Sequence, residues 1–428
     1  MRWLSLLACG LGFAACSADP PLASNVGGMP AITGGAGGPA ASAGGTGGTS
    51  PQADGGASGG SGPIGAGGAG GGSTGGTTGS GGAEAQPDAG AVIDAGSDAA
   101  AADPAGVRFV GRIDRSNPAG PRFAWSGTTI LARFTGASVG VRLGGGTNYF
   151  DVRIDGMLQP VLVTSAAKQD YALASNLGPG PHELSVFRRT EAREGVTTFL
   201  GVSLAPGGAL LPPPPAPMRR LEILGDSTTC GYGVDGKSAG CPFTPATENY
   251  DVSYGAVAAR ALGADLVTVA WSAKGMYRNF AGDMKDTMAA LYGRTLPDPA
   301  STWDFTTWIP DALVINLGSN DFQQGDPGPG FVTAYTDFIH RARKNYPGAL
   351  IVCAVGPKLS GTQLAGARRY VMAIVSAMNA AGDTRVSFLE LPQPQAGDGA
   401  GCGGHASVAT HKRMGDTLVA ELKAKLGW

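Results

Sequence analysis

The sequence predicts an antiparallel β-sandwich followed by a doubly wound α/β domain with a parallel sheet. Three observations predict it. First, short alternating apolar runs at Val107–Ile113, Thr129–Phe134, Ser138–Leu143, Tyr149–Ile154, Glu183–Arg188 and Thr198–Leu204 are separated by turn residues such as Asn117-Pro118 and Asp155-Gly156. Strands at this spacing, with little helical periodicity, argue for a sandwich over residues 106–211. Second, strand and helix signals alternate after Met218, the pattern of a parallel sheet with ligands beyond the carboxyl ends of its strands. Third, 28 of the 72 glycines among the 428 residues fall within Gly27–Ala102. A chain so poor in large apolar side chains cannot bury enough surface to offset its ordering entropy.

The elements of the second domain follow in order. Leu221–Leu224 is a short apolar strand, Ser253–Leu262 a helix and Asp265–Ala270 a strand. Ala312–Leu317 reads as a buried strand, Phe331–Asn345 as an amphipathic helix, Ala349–Val355 as a strand and Ala367–Ala381 as a helix. Val408–Leu426 closes the chain as a helix. The proline run at residues 212–217 is a stiff connector between the two parts, and the α/β domain occupies residues 218–428.

At the other end, Met1-Arg2 precedes an apolar stretch from Trp3 to Ala15, the pattern of an export signal over residues 1–15. Phe13-Ala14-Ala15-Cys16 resembles a bacterial lipobox, which makes Cys16 the lipidated mature N-terminus and residues 16–105 a disordered tether. The expected location is the outer membrane or cell surface, or the medium if a signal peptide is simply cleaved before Cys16. Residues 17–103 hold seven acids and no Lys or Arg, whereas residues 107–428 hold 26 acids and 30 bases, a balance of +4. That balance leaves no basic footprint for nucleic acid. No apolar run reaches the roughly 18 residues of a spanning helix, so contact with a membrane is expected only through the lipid on Cys16.

Candidate chemistry sits where strands end. Gly225-Asp226-Ser227 follows the first strand of the α/β domain, which exposes the Ser227 hydroxyl at the sheet edge near a helix terminus, a place suited to a nucleophile. Asn316-Leu317-Gly318-Ser319-Asn320-Asp321 follows a buried strand and brings the Asn320 amide to the same rim. The Gly275 amide, in Ser272-Ala273-Lys274-Gly275, could add a backbone donor for an oxyanion. Of the four histidines, His340 falls in an amphipathic helix and His182 at a strand start, while His411 follows His405 by six residues, a poor spacing for metal ligands on one helix. His405, on a loop at the strand rim, is the candidate base. No metal or organic cofactor is expected.

These motifs, in this order, resemble the SGNH hydrolase superfamily. More narrowly, the chain resembles carbohydrate esterase family 2, the two-domain acetylxylan esterases. Ile223–Gly233, Thr247–Tyr250, Lys274–Asn279, Asn316–Phe322, His405–Met414 and Arg188–Glu191 carry the likeness. The resemblance implies a jelly-roll sandwich packed on a three-layer α/β/α esterase domain, with Ser227 as nucleophile and His405 as base. It implies an oxyanion hole from the Ser227 and Gly275 amides with the Asn320 side chain. It also implies removal of O-acetyl groups from plant-wall polysaccharide such as xylan or glucomannan. Tyr277, Glu248 and Asn249 are the candidates for holding the sugar of an acetylated polysaccharide or oligosaccharide, and the protein is expected to act as a monomer. Two other readings stand beside this one: an acylhydrolase of lipid or peptidoglycan O-acetyl esters, and a non-catalytic sugar-binding protein.

One departure from the family pattern matters. Superfamily members place an Asp three residues before the histidine, and some relatives two before. Here those positions are Cys402 and Gly403, and the nearest upstream acid is Asp398. Gly404 stands where relatives often carry a ring. Either a backbone carbonyl orients His405 in a Ser–His dyad, the favoured reading, or catalysis is weakened; orientation is the main service of the third member of such a triad. Cys230 and Cys241, flanking the loop after the nucleophile, are expected to form a disulfide, and Cys353 with Cys402 is a second, looser expectation. In a bacterial host, Cys16→Ser is expected to shift the protein from the membrane fraction to the soluble fraction; retention on the membrane contradicts the lipobox reading.

Overall fold

Alternation of apolar and polar residues sets the architecture of the first part of the computed structural model, which describes residues 103–428. The export signal, Cys16 and the glycine-rich tether fall outside the described residues apart from the last of them, from Asp103 on. Two antiparallel sheets face each other. One is built around Val107–Val110, Thr129–Thr135, Pro181–Arg188 and Tyr149–Ile154, and the other joins Arg122–Phe123, Thr197–Leu204, Val139–Gly145 and Asp170–Ala174. Period-two side chains put Phe109, Ile130, Phe134, Val141, Phe150, Val186 and Phe199 into the shared core. The two-residue strands were not legible as strands, because runs so short carry no periodicity, and Asp170–Ala174 was missed with them.

The connector at residues 212–217 leads into a five-stranded parallel sheet. Its spatial order is Ala264–Ala270, Arg219–Gly225, Ala312–Asn316, Leu350–Val355, Val386–Glu390. The first strand therefore sits inside the sheet with neighbours on both sides, and Ala264–Ala270 lies at the edge. The fifth strand was not expected from the sequence, since Val-Ser-Phe-Leu-Glu mixes polar and apolar residues at the opposite edge. Helices Tyr254–Leu262 and Val408–Leu426 contribute to one apolar layer, and Pro329–Asn345 and Gly361–Ala380 to the other. Burial of the three middle strands on both faces explains their near-continuous apolar text. The chain runs from inner strand to edge and back across the sheet, so the carboxyl ends of Arg219–Gly225 and Ala312–Asn316 meet side by side, with Gly225 paired to Asn316.

The seam between sandwich and sheet holds a buried ion pair. Arg112, fully buried, donates to Glu222 on the first parallel strand at 2.9 Å, to the Arg294 carbonyl at 2.9 Å and to the Tyr292 carbonyl. The Tyr292 hydroxyl donates to the other Glu222 oxygen at 2.7 Å. Trp125 donates its indole N–H to the Thr295 carbonyl at 2.8 Å, and Phe187 stacks on Tyr250 at 5.9 Å. A buried pair gains little against apolar replacements, but loss of one partner strands the other charge. Arg112→Leu is therefore expected to lower stability by about 3–5 kcal/mol, and Arg112→Leu with Glu222→Leu by less than the single change. Denaturant unfolding checks this; a single-variant loss below about 1 kcal/mol contradicts it.

Candidate active site

Ser227 is placed by the end of a strand and the start of a four-residue helix. Gly225 closes the strand so tightly on the next turn that a Cβ there would lie 1.9 Å from Thr229 Oγ1, which only glycine avoids. Asp226 caps the helix Ser227–Cys230 by accepting from the Thr228 N–H at 3.0 Å. The same carboxylate accepts from the Ser319 hydroxyl and from Asn320 Nδ2 at 3.3 Å, joining the two strand ends. Burial raises its pKa to about 6.

Across from this turn, His405 Nε2 lies 3.0 Å from Ser227 Oγ. On the far side of the ring, Nδ1 lies 3.2 Å from the Cys402 carbonyl oxygen. A carbonyl only accepts, so Nδ1 carries the proton and Nε2 presents a lone pair to the serine. Burial, with the nearby Lys358 charge, lowers the imidazole pKa to about 4, while the Cys402 and Gly403 carbonyls pull it the other way. Lys358 itself donates to the Gly403 and Gly404 carbonyls at 3.0 and 3.2 Å. Asp398 stands apart from the ring. It accepts from Arg413 Nη1 at 2.6 Å and from the Thr410 hydroxyl at 2.8 Å, and Arg413 holds its pKa well down.

The three expected oxyanion donors are in different states. The Ser227 N–H heads its helix, where a backbone donor has no intrahelical acceptor. The Gly275 N–H is directed to Asn279 Oδ1 at 3.3 Å, and Asn320 Nδ2 donates to the Lys274 carbonyl at 2.8 Å besides its longer contact with Asp226. Both 3.3 Å contacts are long for a hydrogen bond. Asp321 holds the Gly275 loop in place by accepting from the Met276, Tyr277 and Arg278 N–H groups at 3.0, 2.7 and 2.9 Å. Sequence reasoning gave Asp321 no role; its signal was position, directly after Asn320.

Two of the three residues expected to hold sugar need correction. Glu248 is fully buried and accepts from the Glu191 N–H at 2.9 Å, so it meets no substrate. Asn249 spends its amide on both Asp235 oxygens, at 3.2 and 3.0 Å, and its oxygen on the Asp251 N–H at 3.1 Å. Tyr277 packs against Gly330 at the head of helix Pro329–Asn345 and joins the apolar core from its margin. Two rings at the site come from the loop after Ser227. Tyr232 lies 4.5 Å from the His405 ring and stacks on Phe243 at 3.8 Å, and Arg193 of the sandwich part sits over Phe243. Gly404 thus does not leave the imidazole without a ring beside it.

The expected disulfides are also corrected. Cys241 bonds to Cys402, across 161 residues, while Cys230 and Cys353 are buried free thiols. Cys230 faces away from its loop, into a pocket with Glu191, whose carboxylate lies 3.7 Å from the sulfur. Glu191, Cys230 and Glu248 bring possible ligand atoms within 4.8 Å of one another, in a place sealed from solvent. Glu191 is already engaged by the Ser272 N–H at 2.6 Å, and burial raises the pKa of both carboxyls, the state of a pair that keeps a proton. A cavity of about 600 Å³ between Ile113–Arg122 and Thr295–Thr307 holds neither Ser227 nor His405.

A serine and an imidazole in contact at the carboxyl edge of a parallel sheet, with amide donors around them, define an ester hydrolase of the SGNH type. Residues 109–214 match the model of the carbohydrate esterase 2 N-terminal domain, and residues 223–413 that of the GDSL-like lipase/acylhydrolase family. A solved family two carbohydrate esterase from Clostridium thermocellum, in complex with cellohexaose, is 41% identical, with a TM-score of 0.73 over 76% of this chain and 100% of that one. The chain belongs to carbohydrate esterase family 2. It is also 41% identical to the cellulase/esterase CelE of Acetivibrio thermocellus over 76% of its own length, and spans 40% of that larger protein. The acetylxylan esterase / glucomannan deacetylase of Cellvibrio japonicus is 28% identical over 77% of this chain and 91% of its own.

Two outcomes follow from this geometry. An imidazole acting as base works only when neutral, so with His405 in that role kcat/KM on an uncharged aryl acetate should hold as pH falls through 6 and drop as it passes about 4; an acid limb centred near 6.5 contradicts the buried imidazole. Asp398→Ala should cost less than about tenfold in kcat, whereas loss of a true triad acid costs several orders of magnitude.

Proposed function

We propose that this protein is a serine esterase that removes O-acetyl groups from plant cell-wall polysaccharide, acetylated xylan or glucomannan, through an acetyl-enzyme. The observation that carries the reading is the 3.0 Å contact between Ser227 Oγ and the unprotonated nitrogen of His405, in a chain of this family. Ser227 Oγ attacks the acetyl carbonyl as its proton passes to His405 Nε2. Negative charge gathers on the former carbonyl oxygen, where the Ser227 and Gly275 amides and Asn320 Nδ2 supply donors. Collapse expels the sugar oxygen, which takes the proton from Nε2. Water then attacks the acetyl group by the same route, and acetate leaves with Ser227 restored. The Cys402 carbonyl holds Nδ1–H through both half-reactions, so the two side chains act as a dyad.

The half-exposed Tyr232–Phe243 stack beside His405 offers an aromatic face to a sugar ring, and Arg193 brings the sandwich to the same rim. The relatives named for xylan and glucomannan deacetylation, and the one solved with cellohexaose, support a β-linked glycan backbone laid along this edge. The enzyme acts as a monomer held at the cell surface through Cys16. Acetate release from a panel of acetylated polysaccharides tests the reading. Expected are release from xylan or glucomannan, loss of at least about a thousandfold in folded Ser227→Ala, and acetate esters cleaved faster than eight-carbon ones. Faster cleavage of the long acyl ester would move the assignment to a lipid acylhydrolase.

A further inference from the structure

The residue that orients the base lies in a glycine-rich stretch of the α/β domain. Between Ala396 and His405 stand five glycines, at 397, 399, 401, 403 and 404. Glycine backbones have the most freedom to lose on ordering, so a carbonyl in such a stretch holds no fixed position unless something ties it down. Cys402 is flanked by Gly401 and Gly403, which leaves its side chain as the one handle between Ala400 and His405. That handle is used: its sulfur is bonded to Cys241 and its side chain is fully buried. The Cys402 N–H donates to the Gly233 carbonyl at 2.8 Å, and Gly401 donates to the His405 carbonyl at 2.9 Å. Gly236 lies over the bridge, where a Cβ would come within 2.4 Å of the Cys402 sulfur and 2.7 Å of the Cys241 sulfur.

The other end of the bridge belongs to the nucleophile's side of the site. Cys241 closes the loop that leaves the helix Ser227–Cys230 and carries Tyr232, whose ring lies 4.5 Å from the imidazole. The bridge therefore ties the loop after the nucleophile to the loop before the base.

We propose that the Cys241–Cys402 disulfide is a positioning device for the base: it fixes the Cys402 carbonyl against His405 Nδ1 and so does the work that a carboxylate side chain would otherwise do. Cys402 acts through His405 and does not touch substrate. The inference rests on the Ser227–His405 reading given above, and it assigns Cys241 and Cys402 a part in kcat.

The test compares wild type, Ser227→Ala, Cys241→Ser, Cys402→Ser and the double serine variant of the full chain on an aryl acetate, with thermal melts beside the kinetics. Mass mapping of the exported wild type should show Cys241 joined to Cys402. Both single variants and the double should lose about 10- to 100-fold in kcat, the scale of a misplaced catalytic group, with KM within about twofold, at temperatures well below their melting points. Should the variants not fold, folded wild type treated with a phosphine reductant should show the same drop, reversed on reoxidation. A staple that serves only stability would lower the melting temperature and leave kcat where it was. Free thiols at both positions in the exported wild type, or kcat within about twofold of wild type once the bridge is broken, overturns the proposal and leaves the dyad standing if Ser227→Ala is inactive. An active Ser227→Ala overturns the dyad and the proposal together.

Discussion

Everything in the site depends on one weak contact, the 3.2 Å approach of His405 Nδ1 to the carbonyl oxygen of Cys402. It selects the tautomer in which Nε2 is bare, and it turns the ring so that this nitrogen meets Ser227 Oγ at 3.0 Å. A carboxylate in that place would also offset the charge of the imidazolium that the proposed reaction forms. A neutral carbonyl offers only its dipole, and Lys358 nearby adds repulsion, so the resting base is neutral and its protonation is steep in energy.

The rest of the fold is arranged to keep the Ser227 side as firm as this contact requires. Gly225 and Asp226 fix the turn, and Ser319, Asn320 and Asp321 bind it to the neighbouring strand end and to the Gly275 loop. Beneath the short helix, Glu191 of the sandwich part reaches the Ser272 N–H, and its own N–H is taken by Glu248. The sandwich is thus a structural wall of the site as well as a border to its rim. Arg112, passing into the α/β part to meet Glu222, anchors that wall from the middle of the first strand.

Much of this was legible in the sequence. Ser227, Asn320 and His405 could be found because strand ends are marked by the change from continuous apolar text to Gly, Ser, Asn and Asp, and because a parallel sheet collects those ends at one edge. The carbonyl reading followed from an absence, no acid at Cys402 or Gly403. Other features were hidden because they depend on distance in space. Glu248 and Asn249 look like rim residues in one dimension, yet they serve the seam and a loop turn. Cys241 lies closer in sequence to Cys230, but that thiol points inward to Glu191, which leaves Cys402 as its partner. Tyr232 took the place of the ring missing at Gly404 because the loop after the nucleophile folds over the imidazole, a long-range event with no local signature. The Val386–Glu390 strand was missed because an edge strand needs only half its side chains apolar.

The most direct measurement of the central claim is nitrogen-15 NMR of the His405 ring in the folded, uninhibited enzyme, assigned by comparison with His405→Gln. The expected result is a proton on Nδ1 and a bare Nε2 at neutral pH, unchanged on acidification to about pH 5. A ring protonated on Nε2, or an imidazolium already present at neutral pH, would contradict the account, since neither could take the proton from Ser227.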